Sequence, residues 1–330
     1  MGVLVTGGAG YIGSHMALEL LGAGEDVVVL DDLSAGFRWA VPEAACFVEG
    51  NVGDAALVGR LLTDRKIEAI LHFAGSIVVP DSVTDPLGYY RNNTCNARSL
   101  LACAVAASVP HFIFSSTAAV YGIPEINPIT EEAKLQPISP YGSSKLMTET
   151  MLADTATAHG LRFAALRYFN VAGADPQGRS GQAAPRATHL IKVASEAATG
   201  LRPALEVYGT DYETPDGTCI RDYIHVTDLV RAHLDALRYL RAGGESVVLN
   251  CGYGKGFSVF EVVDAVKRVS GADFPVRTAG RRAGDPPSLV AGAGRIRQLL
   301  GWEPRLADLD TIVRHALDWE KALKARRGAG

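Results

Sequence analysis

One turn near the start of the chain limits the fold more than any other feature: Thr6-Gly7-Gly8-Ala9-Gly10-Tyr11-Ile12-Gly13. An apolar run at 3–6 leads into it, and apolar spacings of three and four over 11–21 predict a helix leaving it. Gly8, Gly10 and Gly13 satisfy G-x-G-x-x-G; Gly7, Gly10 and Gly13 satisfy G-x-x-G-x-x-G. Without side chains the backbone turns sharply, and a phosphate can approach the unpaired N–H groups that open the helix. The chain has 35 glycines among 330 residues, so the glycine spacing is weak alone. The strand before it, the helix after it and a carboxylate at Asp31 make it specific.

Short apolar runs at 27–30, 45–49, 67–73, 111–115 and 162–167 read as further strands. Helical patterns at 55–62, 92–107 and 141–158 lie between them. This alternation predicts an α/β fold: a Rossmann-like, doubly wound parallel sheet. The rhythm breaks after Asn170. Residues 173–185 read as a loop, 189–198 as a helix, 205–208 and 247–250 as strands, and the tail from Asp308 as a helix. We expect a dinucleotide-binding domain over 1–172, with 221–252 returning to it. A smaller, partly interleaved and discontinuous substrate domain is expected over 173–330. Asp31 ends the second strand at the spacing where an acid meets an adenosine ribose. With Asp32 beside it, two carboxylates would repel a 2′-phosphate, which favours NAD over NADP.

Tyr141 and Lys145 open a predicted helix just after Pro140, and a spacing of four sets both on one face. Alone this pair reads as readily as a solvated face. Its place downstream of the glycine turn and of Ser115-Ser116-Thr117 gives it chemical meaning. A tyrosine serving as a base at neutral pH must fall about three units from 10, about 4 kcal/mol. One ammonium at ~5 Å supplies about 3 kcal/mol at an effective dielectric near 20. A nicotinamide cation would supply the rest. Tyr141 then exchanges an alcohol proton while hydride moves, with Thr117 bonded to the same oxygen.

Composition narrows the partners. Lys+Arg 32 against Asp+Glu 36 gives a net charge of -4, which speaks against a nucleic-acid surface. No apolar run is long enough to span a bilayer. Five scattered cysteines with no CxxC predict neither a disulfide framework nor a metal site, and fit a reducing, cytoplasmic setting. Met1-Gly2-Val3-Leu4-Val5-Thr6 fits an acylation pattern and Asn92-Asn93-Thr94 a glycosylation sequon, but both read better as parts of folded elements.

Together, the glycine turn, Asp31, Ser115-Ser116-Thr117 and Tyr141-x-x-x-Lys145 resemble the extended short-chain dehydrogenases/reductases. Leu71-His72-Phe73-Ala74-Gly75, the segment from Ser115 to Gly122, Leu166-Arg167-Tyr168-Phe169-Asn170, Arg221-Asp222-Tyr223-Ile224-His225-Val226 and Arg281-Arg282-Ala283-Gly284-Asp285 are similar to the UDP-glucose 4-epimerase family. The likeness runs in order along nearly the whole chain. It implies tightly held, recycled NAD, oxidation at sugar C4, turnover of a 4-keto intermediate and hydride return. Tyr141, Lys145 and Thr117 would be catalytic. Gly7, Gly10, Tyr11, Ile12, Gly13, Asp31, Asp32, Asn51, Val52, Phe73, Ala74, Gly75, Asn92, Ser115, Tyr141, Lys145 and Tyr168 would hold NAD. Thr117, Tyr141, Asn170, His189, Tyr208, Arg221, Arg282 and Asp285 would hold the UDP-sugar. Two arginines suit a diphosphate, and Asp285 suits ribose hydroxyls. The resemblance also implies a homodimer.

The chain departs from the family pattern at five places. Thr117 stands for a common serine, and Asn51 for an aspartate that meets the adenine amino group. Ile77 stands for a frequent lysine, and His189 for an asparagine. Leu289 sits where side-chain size influences tolerance of an N-acetyl group, so UDP-N-acetylglucosamine stays open as a substrate. Singly, His72 reads as a structural strand-end histidine, Phe73 and Tyr168 as core aromatics, and Arg282 as a surface charge. Two rivals stay in view. A nucleotide-sugar 4,6-dehydratase needs an Asp-Glu pair directly after Thr117, where this chain carries Ala118-Ala119. A binding module that senses NAD would not need Tyr141, Lys145 and Thr117 intact.

Overall fold

The computed structural model describes residues 2–184, 187–282 and 285–328. Strands β1 (Gly2–Thr6), β2 (Asp26–Asp31), β3 (Cys46–Glu49), β4 (Ile67–His72), β5 (His111–Thr117) and β6 (Arg162–Tyr168) alternate with helices α1 (Tyr11–Gly22), α2 (Ala55–Asp64), α3 (Val79–Thr84), α4 (Pro86–Tyr89), α5 (Asn96–Ala106) and α6 (Pro140–His159). The second half adds β7 (Asn170–Ala172), α7 (Leu190–Ala198), β8 (Leu205–Tyr208), β9 (Ile220–His225), α8 (Val226–Arg241) and β10 (Val247–Cys251). Then follow β11 (Gly256–Ser258), α9 (Val259–Ser270), β12 (Val276–Ala279), β13 (Ser288–Leu289), α10 (Gly294–Leu300) and α11 (Leu309–Gly328).

Seven parallel strands form the central sheet in the order β10-β6-β5-β4-β1-β2-β3. It is the doubly wound sheet expected from the alternation. Both faces of its inner strands are buried because apolar side chains point to each side of the sheet in turn. Val3, Val5, Leu71, Ile113 and Leu166 join one core, and Leu4, Val28, Ile70, Phe112 and Ala165 the other. Each of these valine, leucine, isoleucine and phenylalanine side chains contributes roughly 1.5–3 kcal/mol on burial. The strand order reverses between β1 and β4, and a crevice at the C-terminal ends of the strands there is where open α/β sheets receive ligands.

β10 arrives from residues 247–251 and pairs with β6, while β9 lies outside this sheet, bonded to β7, β11 and β13. β8 and β12 make a third, two-stranded piece. The periodicity predicts a helix beginning at 92, yet residues Tyr90–Cys95 form a π-helical turn and α5 starts at Asn96. The strand expected at 205–208 is β8; β9, α8, α9 and the short strands β7, β11, β12 and β13 are not apparent from periodicity, and β9 is buried almost throughout and shows no alternation. Among the described residues no helix is long and apolar enough to cross a membrane.

Candidate active site

Gly7 has φ +70°, and a Cβ there would come within 2.6 Å of the Ala74 amide nitrogen. A Cβ on Gly13 would lie 2.1 Å from the Gly7 carbonyl oxygen. Both approaches need glycine: the first sets the turn against the segment that follows β4, and the second closes the start of α1 onto the turn. Gly10 precedes α1 without any side-chain cap, so the first-turn N–H groups around Tyr11, Ile12 and Gly13 remain available to an anion. The Tyr11 hydroxyl reaches away and donates to the Gly173 carbonyl at 2.7 Å.

Asp31 accepts from the Ala9 amide at 2.9 Å and from the Leu33 amide at 2.8 Å. Burial, with a smaller push from Asp32, raises its pKa against those two bonds. Burial also pushes Asp32 up, but bonds from the Ser34 hydroxyl and amide and from Asn51 outweigh it and hold this carboxyl low. Asn51 Nδ2 donates to Asp32 at 2.9 Å. Asn51 Oδ1 is shared between the Gly53 amide at 2.8 Å and Asn96 Nδ2 at 3.2 Å. The oxygen expected to meet an adenine amino group is therefore already taken up by two donors. Val52 beside it is buried.

At the end of β4, His72 Nδ1 is bonded to Thr6 Oγ1 at 2.7 Å. Burial, and then the Lys145 charge, drives its pKa down to about 3, so it stays neutral and structural. Phe73, Ala74 and Gly75 follow, with the Phe73 amide on the Thr6 carbonyl and its ring 5.0 Å from that of His233. The π-turn aims two asparagines here. Asn92 donates to Ser76 Oγ at 2.9 Å, and Asn93 spans Ser76 and Ser144 of α6. Turns of this kind often mark functional sites. Ile77 is exposed.

The start of α6 is fixed by Ser139, which caps Gly142, and by Pro140 in its first turn. Gly142 packs so close that a Cβ would stand 2.6 Å from the Ala119 carbonyl oxygen, which draws Tyr141 toward Thr117. Burial drives Tyr141 up to about 12, with a hydrogen bond from Thr117 pulling the other way. Lys145 Nζ donates to the Ser115 carbonyl at 2.9 Å and lies 5.0 Å from the Phe114 ring centroid. Burial lowers it to about 8. The balance on Tyr141 thus differs from the sequence expectation: burial wins within the protein alone. The Ser115 and Tyr168 hydroxyls are bonded to each other.

The remaining candidates form three pairs. Asn170, at the start of β7, and His189, before α7, line one cleft, where His189 Nδ1 meets Gln182 at 2.9 Å and burial lowers its pKa. Arg221 of β9 pairs with Asp285. Arg282 sits 3.9 Å over the Tyr208 ring. Leu289 of β13 faces Arg221 in register. Ala283 and Gly284, within the late basic motif, and Pro185, at the end of the predicted loop, lie outside the described residues. Among the described residues no group of His, Cys, Asp or Glu is arranged to hold a metal.

Sequence reasoning missed the buried polar spine beneath the site. Glu149 accepts from Ser116 and takes both Arg167 Nε at 3.0 Å and Nη2 at 2.5 Å. Arg167 continues to Tyr121 at 3.0 Å, and Tyr121 to Asn250 at 2.7 Å. The available signal was spacing: Tyr141, Lys145 and Glu149 share one face of α6.

Residues 3–252 match the NAD dependent epimerase/dehydratase family. A UDP-glucose 4-epimerase from Azospirillum brasilense is 60% identical over 326 residues, spanning 99% of this chain and 94% of that protein. One from Lacticaseibacillus casei is 45% identical, with 97% of each covered. The UDP-glucose 4-epimerase of Brucella ovis, solved with NAD, has a TM-score of 0.94 at 48% identity, covering 96% of this chain and 97% of that one. The UDP-Glc/GlcNAc 4-epimerase of Campylobacter jejuni has a TM-score of 0.86 at 49% identity, covering 97% and 99%. The chain therefore belongs to the NAD dependent epimerase/dehydratase family and, within it, to the UDP-glucose 4-epimerases.

Proposed function

We propose that the protein is an isomerase that interconverts UDP-glucose and UDP-galactose with bound NAD. The single observation that carries this reading is the burial of Tyr141 and Lys145 on one face of α6, with Lys145 fixed on the Ser115 carbonyl at 2.9 Å on the strand that ends in Thr117. The pair sits at the strand ends that also carry the glycine turn. The turn suits NAD: its close approaches admit no side chain, and an uncapped helix start faces the phosphate position. Gly7, Gly10, Tyr11, Ile12 and Gly13 would hold the pyrophosphate, and Asp31 and Asp32 the adenosine ribose, disfavouring NADP. Asn51 and Val52 would border the adenine; Phe73, Ala74, Gly75, Asn92, Ser115 and Tyr168 would line the rest.

NAD, when bound, supplies the acceptor for hydride from sugar C4 and the donor that returns it. Tyr141 takes the proton of the sugar 4-hydroxyl as that hydrogen leaves, and gives it back to the 4-keto sugar after the sugar has turned over. Thr117 holds the same oxygen. Lys145, fixed on Ser115, adds positive charge beneath. Asn170, His189, Tyr208, Arg221, Arg282 and Asp285 are assigned to the UDP-sugar. Residues 1–172 with the returning 221–252 are assigned to the cofactor, and the discontinuous remainder from 173 to 330 to the substrate. The working form is assigned as a cytoplasmic homodimer. Five free cysteines agree with that compartment, and light scattering checks the mass.

Ala118 and Ala119 disfavour the dehydratase, since neither side chain moves a proton. Purified protein incubated with UDP-galactose, with no added cofactor, should yield UDP-glucose. A 4-keto-6-deoxy sugar, or no turnover with bound NAD, would overturn the reading. UDP-N-acetylgalactosamine in the same assay reports on tolerance at Leu289.

A further inference from the structure

The loop that leaves Asp31 is not free-standing. Its Gly36 packs against Ala9, where a Cβ would come within 2.7 Å of the Ala9 carbonyl carbon, and the Phe37 amide donates to the Ala9 carbonyl at 3.0 Å. Ala9 is itself held by Asp31 at 2.9 Å. The glycine turn, the acid and residues 36–37 are therefore tied together by direct contacts.

Onto this piece the far end of the chain closes. Phe37 and Trp39 are stacked with centroids 5.3 Å apart, and the Trp39 ring lies 5.9 Å from Trp319 of α11. The Arg326 guanidinium, two turns further along α11, is 5.2 Å from the Trp39 ring and 5.1 Å from the Trp319 ring. One cation thus faces an aromatic ring from each partner. Trp39 is 44% exposed while Trp319 is 3% exposed, so the contact has a solvent-facing half and an anchored half. The anchor is strong: Trp319 Nε1 donates to the Gln182 carbonyl at 3.1 Å, and neighbouring Glu320 pairs with buried Lys192.

We propose that Trp39, Trp319 and Arg326 form a latch that sets how fast the dinucleotide leaves the protein. This rests on the assignment of the glycine turn and Asp31 to NAD. Releasing the nucleotide requires the turn and its attached loop to loosen, and the latch ties that loop to α11. These are positioning residues; none is assigned to the reacting atoms.

The test follows release of NAD from the protein as purified, by repeated gel filtration and enzymatic assay of free NAD. Losing the shared cation removes two cation–π contacts, so Arg326→Ala should release NAD about tenfold faster. Trp39→Ala should do likewise, and Arg326→Lys should stay near the parent rate. Turnover per bound NAD should be unchanged in all three, which a general loss of structure would not permit. Lys321→Ala, at an exposed position of the same helix, is the control and should not change release. Parent-like release from both alanine variants overturns the latch, as does equal acceleration by the control. Parent protein that neither carries nor takes up NAD overturns the functional assignment instead.

Discussion

Glu149 and Arg167 are locked in a two-point ion pair under the candidate active site, with Arg167 Nε at 3.0 Å and Nη2 at 2.5 Å from the two carboxylate oxygens. Glu149 lies on the same face of α6 as Tyr141 and Lys145, so the pair fixes the rotation of the helix that carries both. Arg167→Met leaves a buried carboxylate alone and should cost about 3–5 kcal/mol in a denaturant melt. A displacement near 1 Å at Tyr141 should lower kcat on the order of 100-fold. The double variant Glu149→Met/Arg167→Met should recover most of the stability but little of the activity.

Tyr141→Phe keeps the ring and removes the proton carrier. Epimerisation should fall between about 10²- and 10⁴-fold. NAD content after purification should equal that of the parent. A variant that turns over normally would exclude Tyr141 as the base.

Lys145 stands at about 8 through burial, against an ordinary lysine value of 10.5. Below pH 8 the folded protein carries a buried ammonium that the unfolded chain solvates freely. The cost is about 3 kcal/mol at neutral pH and fades as pH rises from about 8 toward 10.5. NAD-free Lys145→Met should therefore melt higher than NAD-free parent at pH 7, with the gap closing near pH 10, while activity is lost. A gap independent of pH would count against this account.

Acid should destabilise the fold through its histidines. Burial leads the lowering in each case: His15 and His233 stand at about 4, His72 and His225 at about 3. Their stabilising contribution is complete above the unfolded value near 6.5 and is lost as pH falls toward 4 and 3. Each should add about 1.4 kcal/mol per pH unit to the slope in that window. His72→Asn should remove one such increment, read from urea melts between pH 6.5 and 4.5.

The elements assigned to the cofactor were largely legible as structure because they are local. The glycine turn, Asp31 and the Tyr141–Lys145 spacing each lie within one strand, turn or helix, where period and residue type speak directly. What escaped depends on distant segments meeting. Asn93 gains its place through a π-turn that breaks the ordinary helical count. Arg167 matters because β6 lies beside β5 and below α6. β9 was visible only as the motif around Arg221, since its small sheet gathers strands from 170, 220, 256 and 288. Asn51 shows the converse: residue type alone cannot tell that its oxygen turns inward to Gly53 and Asn96.

The seventh strand has a consequence for how the protein is made. A ribosome that has released residues 1–172 has produced six of the seven strands, yet β6 still presents an open row of amide and carbonyl groups beside Leu166 and Arg167. Only after some 75 further residues does β10 arrive to cover that edge. Until then the nascent chain carries an unprotected strand edge, the kind that pairs with other chains. The first half expressed by itself should therefore aggregate, however complete its glycine turn and acids.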